Sequence, residues 1–314
     1  MILTCGEALY DMFVGDHAGG KRFAVTVDGV LGGSPLNVAL GLVRMGTPAA
    51  LFTRVSTDML GRRMRAFMAE NGISDAYCVP TDNPTTLSLI ETDDSGHPHY
   101  SIYCKGTADC SLQVGELPAA LGEDIAIVHL GSFATVFEPV GEALRTLARR
   151  EAERRFISFD PNVRTMVVAD LDLWRQRIDE MLPLAGIVKA SDEDIGLLWP
   201  GKPLEWFAEK ALVAGADIAL ITRGPDGAIA ASADGRLTHV PGIEVDTVDT
   251  VGAGDTFMAA SLHRLTAHAA ARRRAARDVD IVELARFAVK ASALTCTRRG
   301  ADLPTLAEIA AFSP

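Results

Sequence analysis

The segment Asp249-Thr250-Val251-Gly252-Ala253-Gly254-Asp255-Thr256-Phe257 joins a glycine-rich turn to an apolar helix and sets a carboxylate in that helix's first turn. A helix N-terminus carries unpaired N–H groups and a partial positive charge, so it attracts anions. Gly252 and Gly254 permit positive φ and close backbone approach to a ligand. Asp255 stands beside whatever anion binds there. Backbone donors that stabilise a moving phosphoryl group, next to a carboxylate that takes an alcohol proton, are the parts phosphoryl transfer to a hydroxyl requires. The plainer alternative is a C-cap glycine followed by an N-cap aspartate.

A second glycine segment, Gly32-Gly33-Ser34-Pro35-Leu36-Asn37, lets the backbone approach a ligand and then starts a helix with Pro35 near its first position. Asn37 falls one turn in, where its amide both donates to and accepts from hydroxyls. Without a ligand, the same residues make an ordinary helix start. Two other matches are weak. Gly15-Asp16-His17-Ala18-Gly19-Gly20-Lys21-Arg22 approximates a P-loop, but Arg22 replaces the magnesium-holding hydroxyl and no strand–turn–helix surrounds it. Gly252-Ala253-Gly254 lacks the third glycine of a dinucleotide fingerprint, since Phe257 stands there, which disfavours a nicotinamide oxidoreductase. His97, His99 and His129 show no metal-ligand spacing.

The elements that position these residues follow from periodicity. Continuous apolar runs predict buried strands at Ile2–Cys5, Ala49–Thr53, Ile125–Leu130, Phe156–Asp160, Gly186–Lys189 and Ile218–Thr222. Helical spacing predicts helices at Pro35–Met45, from the Asp58 cap to Asn71, and at Pro139–Glu153, Leu171–Met181, Leu204–Ala214, Gly254–Ala267 and Ile281–Thr295. Strand–helix alternation of this kind predicts an α/β fold with a doubly wound, mostly parallel sheet flanked by helices. Ligands of such sheets bind beyond the carboxyl ends of the strands. Asp11, Asp160-Pro161-Asn162, Lys189 through Asp194, and Thr222-Arg223-Gly224 all follow strand ends. Lys21–Val30 and Thr85–Tyr103 break the rhythm by alternating apolar and polar residues, with a hairpin turn expected at Asp93-Asp94-Ser95-Gly96. They predict a small inserted β-sheet lid, roughly residues 12–31 and 84–110, on a single domain spanning 1–314.

Composition excludes several classes. The net charge of −11 disfavours nucleic acid as a partner. The one basic cluster, Ala271 through Arg277, is expected to be a solvated helix end or a loop between two helices. No stretch reaches the roughly 18 uncharged apolar residues of a membrane helix, so no membrane role is expected. The N-terminus has no basic, apolar leader pattern. Five cysteines, odd in number and without CxxC spacing, point to a reducing cytoplasm rather than disulfides or structural zinc.

Together the two glycine segments resemble the signatures of the ribokinase-like, or PfkB, sugar kinase family, and the likeness extends over nearly the whole chain. The resemblance implies a ribokinase-like fold and ATP-dependent phosphorylation of a sugar. Asp255 would be the base, and the N–H groups of Gly252, Ala253 and Gly254 would form the anion hole. Asp11, Gly33 and Asn37 would hold sugar hydroxyls, and Lys189, Ser191, Thr222 and Gly224 would line the ATP site. The family's Asn-x-x-Glu segment, which organises magnesium, matches Ser191 and Asp194 here; both differ from the pattern, and Glu193 is adjacent. A monovalent cation, potassium in many members, would lie by Asp249, Val251, Thr295, Arg298 and Gly300. Val289 stands where the family often has an asparagine near adenine. Gly6 through Asp11, Gly131-Ser132 and Asp160 through Arg164 look most like fructokinases, with Lys105 where arginine is common. Kinases of 2-keto-3-deoxygluconate share part of this set, and there Tyr103, Lys105 and Arg164 would meet a substrate carboxylate. A non-catalytic sugar- or nucleotide-binding regulator on the same fold is the third reading. A homodimer formed through the lid is expected from relatives.

Overall fold

The computed structural model describes residues 1–16, 24–92, 98–267 and 278–313. β1 (Ile2–Cys5) is followed by the antiparallel pair β2 (Leu9–Asp16) and β3 (Val25–Gly32), then α1 (Ser34–Arg44), β4 (Ala49–Phe52), β5 (Arg54–Ser56) and α2 (Met59–Asn71). Next come β6 (Val79–Thr81), β7 (Leu87–Thr92), β8 (Pro98–Tyr103), β9 (Ile127–Gly131), α3 (Val140–Glu151), β10 (Phe156–Asp160) and α4 (Leu171–Met181). β11 (Ile187–Ser191), α5 (Asp192–Leu198), α6 (Leu204–Ala214), β12 (Ile218–Thr222), β13 (Ala228–Ser232) and β14 (Leu237–Val240) precede three final helices. These are α7 (Ala253–Ala267), α8 (Ile281–Cys296) and α9 (Leu306–Ala311).

The main sheet has eight strands in the order β14-β13-β12-β11-β10-β9-β1-β4. From β12 to β4 every neighbour pair is parallel. Successive side chains on these strands enter opposite faces, which is why their sequences read as unbroken apolar runs. Leu3, Val128, Ile157 and Val188 join a core with Leu144 of α3, Trp174 of α4 and Phe207 of α6. Ile2, Ile127, Phe156 and Ile187 join the opposite core with Leu36 of α1, Met258 of α7 and Leu284 of α8. The expected doubly wound, mostly parallel sheet is therefore present.

A second sheet of order β3-β2-β7-β8 is the inserted unit. It begins earlier than residue 12: Leu9 to Asp11, outside the expected bounds, opens β2, because pairing with both β3 and β7 supplies the ladder that its own sequence does not announce. The antiparallel edge of β13 and β14 was not expected either. The hairpin turn expected at 93–96, the arginine run at 271–277 and most of the P-loop-like segment lie outside the described residues. Asp58 caps α2 by accepting from the Gly61 N–H at 2.7 Å, and its carboxylate also accepts from the Thr85 N–H at 2.8 Å, tying the start of the second inserted segment to the main unit.

Candidate active site

Parallel strands present their carboxyl ends on one rim. Asp160 ends β10 opposite Gly131 of β9, and Ser191 ends β11 opposite Thr222 of β12. Into this rim α7 brings its first turn. Gly252 has φ 79°, and a β-carbon there would fall 2.9 Å from the side chain of Ala301, so the turn requires glycine on both counts. The Thr256 N–H is the first to bond back along the helix, to the Gly252 carbonyl at 2.8 Å. The Gly254 and Asp255 N–H groups thus stand in the open first turn. The Ala253 N–H differs from its expected role: it already donates to the Thr250 carbonyl at 3.2 Å.

Asp255 is nine-tenths buried and held by two donors from α1. Ser34 Oγ donates to Oδ1 at 2.6 Å and Asn37 Nδ2 donates to Oδ2 at 2.8 Å. Both bonds cross more than 200 residues of sequence. They join the two glycine segments directly, since Gly33, with φ 107°, precedes Ser34 at the start of α1. Ser34 was not among the residues expected at the site; its place between Gly33 and Pro35 was the available signal. Asn37, expected at the sugar, reaches Asp255 as well.

Behind the anion site lies a buried charge cluster. Lys189 Nζ is 2.9 Å from Asp160 Oδ2, and both side chains are almost wholly buried. Burial raises the Asp160 pKa to about 6 despite the opposing pull of Lys189. Burial disfavours the Lys189 charge, yet its pKa is raised, because Asp160, Asp194 and Asp255 all face it. His129, whose Nδ1 is 2.9 Å from Ser158 Oγ, is pushed down to about 3 by burial and by Lys189, and so is neutral. Lys189, expected at the nucleotide, is therefore beneath the site rather than on an open wall of it.

Asp11 lies on β2 with its Oδ2 only 2.4 Å from where a β-carbon on Gly32 would be, so Gly32 leaves room for that carboxylate. Burial raises the Asp11 pKa, opposed by a Ser88 hydrogen bond and by the Arg164 charge. Glu7, absent from the sequence-based set, is buried at the end of β1 and its pKa is pushed up to about 7 by burial, opposed by a Ser132 hydrogen bond. Arg164 is exposed and acts electrostatically on both Glu7 and Asp11. Lys105 is exposed in the turn after β8. Tyr103 does not converge with Asp11. Strand register pairs Tyr103 with Leu87 and Asp11 with Ser88, and neighbouring residues of one strand point to opposite faces.

The remaining expected residues fall into two groups. Ser191 caps α5, its Oγ accepting from the Asp194 N–H at 3.0 Å, while Asp194 Oδ1 accepts from the Val163 N–H at 3.0 Å. Glu193 is exposed beside them. Thr222 follows on the next strand, and Gly224 begins the short turn after it with φ 50°. At the second group Asp249 Oδ1 accepts from the Val251 N–H at 3.0 Å and Oδ2 from the Gly300 N–H at 2.8 Å. The Arg298 N–H donates to the Thr295 carbonyl at 3.0 Å, so these positions form one connected turn cluster. Val289 is buried in α8. Among the described residues no three His, Cys, Asp or Glu side chains are arranged to hold a metal ion on their own, and no helix is long and apolar enough to cross a membrane.

The chain matches the pfkB family of carbohydrate kinases over residues 2–308. A fructokinase from Rhizobium leguminosarum bv. trifolii is 37% identical over 84% of this chain and 79% of that protein. Fructokinase-1 of Zea mays is 30% identical over 98% and 96% respectively. Among solved structures, fructokinase from Xylella fastidiosa with bound ATP superposes with a TM-score of 0.85 at 25% identity, over 99% of this chain and 97% of that one. A double mutant of fructokinase from Vibrio cholerae O395, bound to fructose, ADP and potassium, has the same fold at a TM-score of 0.83 and 24% identity, with coverage of 99% and 97%. With its ribokinase-like fold, the chain belongs to the pfkB family of carbohydrate kinases, phosphotransferases that act on a sugar hydroxyl.

Proposed function

We propose that this kinase transfers the γ-phosphoryl group of ATP to O6 of D-fructose. The observation that carries the reading is the Asp255 carboxylate, held at both oxygens by Ser34 and Asn37 in the open first turn of α7. Oriented by these two donors, it takes the proton of the sugar hydroxyl as that oxygen bonds to phosphorus and ADP leaves. The Gly252–Gly254 turn, with the Asp255 N–H, receives the charge of the transferring group. Asp11, Gly33 and Arg164 support a neutral sugar. The curated relatives named fructokinase point the same way.

Thr222, Gly224 and Ser191 line the nucleotide side. The carboxylates of Asp160, Asp194 and Asp255 face a single ammonium, Lys189. That excess negative charge suits a magnesium ion carried on the nucleotide phosphates, with Asp194 and Glu193 the residues at hand. When bound, magnesium would neutralise phosphate charge. The turn cluster around Asp249, Val251, Thr295, Arg298 and Gly300, rich in carbonyls and anchored by one carboxylate, suits potassium, the ion found with the Vibrio protein.

The test is ATP consumption coupled to sugar phosphate formation, with fructose, 2-keto-3-deoxygluconate, ribose and glucose in parallel. Fructose should be preferred. Preference for the keto-deoxy acid would overturn the substrate and make Arg164 and Lys105 its carboxylate clamp. Absence of turnover with every sugar would favour a binding protein. Asp255→Asn should lower kcat by about 100-fold or more with sugar affinity little changed; near-normal turnover would remove Asp255 from the role of base.

A further inference from the structure

Lys189 is a cation with almost no access to solvent. Its ammonium is fixed by Asp160 Oδ2 at 2.9 Å. A β-carbon built on Gly254 would lie 3.1 Å from Lys189 Nζ, and among the described residues no other non-neighbouring atom comes within 4 Å of that point. The ion pair is therefore a dipole with its positive end against the backbone of the anion turn and its carboxylate end turned away. Coulomb energy falls with distance, so the near charge dominates the potential that an anion meets in the turn. Burial keeps that field from being screened. A purely structural reason for the pair is weak, because buried ion pairs contribute little stability over apolar residues of similar size.

We propose that Lys189 is an electrostatic positioning residue for phosphoryl transfer: its ammonium supplies a permanent positive charge directly behind Gly254, so near that a β-carbon there would be in tight contact with it. This inference rests on the kinase reading of the site. Without Lys189 the turn would stand over Asp160, Asp194 and Asp255 with no fixed cation, and an incoming phosphoryl group would meet repulsion. The charge acts through the Gly254 backbone and does not touch substrate. Its effect should therefore appear in turnover rather than in sugar binding.

The experiment compares wild type with Lys189→Met/Asp160→Asn, which removes both charges together and leaves no unpaired buried ion. Lys189→Gln/Asp160→Asn, which keeps a hydrogen bond in place of the ion pair, is the second variant should the first fail to fold. Urea stability, fructose affinity by calorimetry, kcat, and affinity for ADP with and without aluminium fluoride are measured for each. We expect near-normal stability and fructose affinity, a kcat lower by about 10- to 100-fold, and a loss of affinity for ADP–aluminium fluoride not shared by ADP alone. A folded double variant with wild-type kcat overturns the proposal. So does an equal loss for ADP and ADP–aluminium fluoride, which would mark a role in nucleotide binding or folding. If wild type transfers phosphate to no sugar, the kinase reading fails, while the aluminium fluoride comparison, which needs no sugar turnover, still decides for Lys189.

Discussion

Glu7 occupies the last position one would choose for a charge: 2% exposed, immediately after the buried strand β1, with Asp109 and Arg164 acting on it. Burial lifts its pKa from 4.5 to about 7, so the folded protein holds a proton there that the unfolded chain releases near pH 4.5. The folded state binds more protons between these values, and stability from this group therefore falls as pH rises from about 4.5 to about 7. At about 1.4 kcal/mol per pKa unit the loss is on the order of 3 kcal/mol. Asp160, raised to about 6, adds a decline of the same sign over a lower window, so wild type alone cannot separate the two. Glu7→Gln removes only the Glu7 part. Urea unfolding of wild type and variant at pH 5 and pH 8 should show the variant gaining on wild type at pH 8 by most of that amount. A stability difference that stays constant between the two pH values would mean Glu7 does not titrate as described.

The helices α1 and α7 decide whether Asp255 meets Ser34 and Asn37, and their contact depends on Gly41. A β-carbon at Gly41 would lie 2.7 Å from Leu303 Cδ2 and 2.8 Å from Ala259 Cβ. Gly41→Ala would gain up to about 1 kcal/mol of helix propensity. Overpacking costs about 1–3 kcal/mol, and Ala259 has no rotamer by which to yield. The clash should win, so the variant should be less stable to urea by about 1 kcal/mol and should lower kcat/KM as Ser34 and Asn37 shift. Stability at or above wild type would show that the helix pair has slack. The starts of these two helices were legible within a residue, because Gly32-Gly33-Ser34-Pro35 and Gly252-Ala253-Gly254 punctuate the chain so strongly. Strands buried on both faces, such as β1 and β10, were legible for the same kind of reason: nothing polar interrupts them. β13, with the sequence Ala-Ile-Ala-Ala-Ser, was not. Alanine and serine carry little strand preference, and only its antiparallel pairing between β12 and β14 makes it one. That Asp255 and Asn37 belong to one cluster was legible from the two glycine segments, and they meet at 2.8 Å. The Ser34–Asp255 bond and the seat of Lys189 behind Gly254 were not legible, since each depends on tertiary placement that no local pattern encodes.

At the scale of the molecule, the four-stranded sheet carries its most exposed apolar side chains on the face away from Asp11. Val25 and Val27 of β3 and Tyr103 of β8 are 57%, 53% and 60% exposed. Register places all three on the face opposite Asp11: Val27 pairs with Val14, Tyr103 with Leu87, and Asp11 with Ser88. An exposed apolar sheet face is a site for association. A second copy of this chain is the occupant we propose, because two identical faces related by a two-fold axis satisfy each other without exposing a new one. Such pairing would also brace the small sheet, which carries Asp11 on its other face. The two consequences can be measured together. Sedimentation of wild type at micromolar concentration should give a dimer. Val27→Lys, which places a charge on an already exposed position and so should fold normally, should give a monomer. The same variant should raise KM for the sugar several-fold with KM for ATP little changed, since Ser191, Thr222 and Gly224, the residues we propose for the nucleotide, belong to the main unit. A wild type that remains monomeric as concentration rises would show that the valine face is simply solvated, and that the lid stays over the sugar through its own connections at Glu7, Gly33 and Asp58.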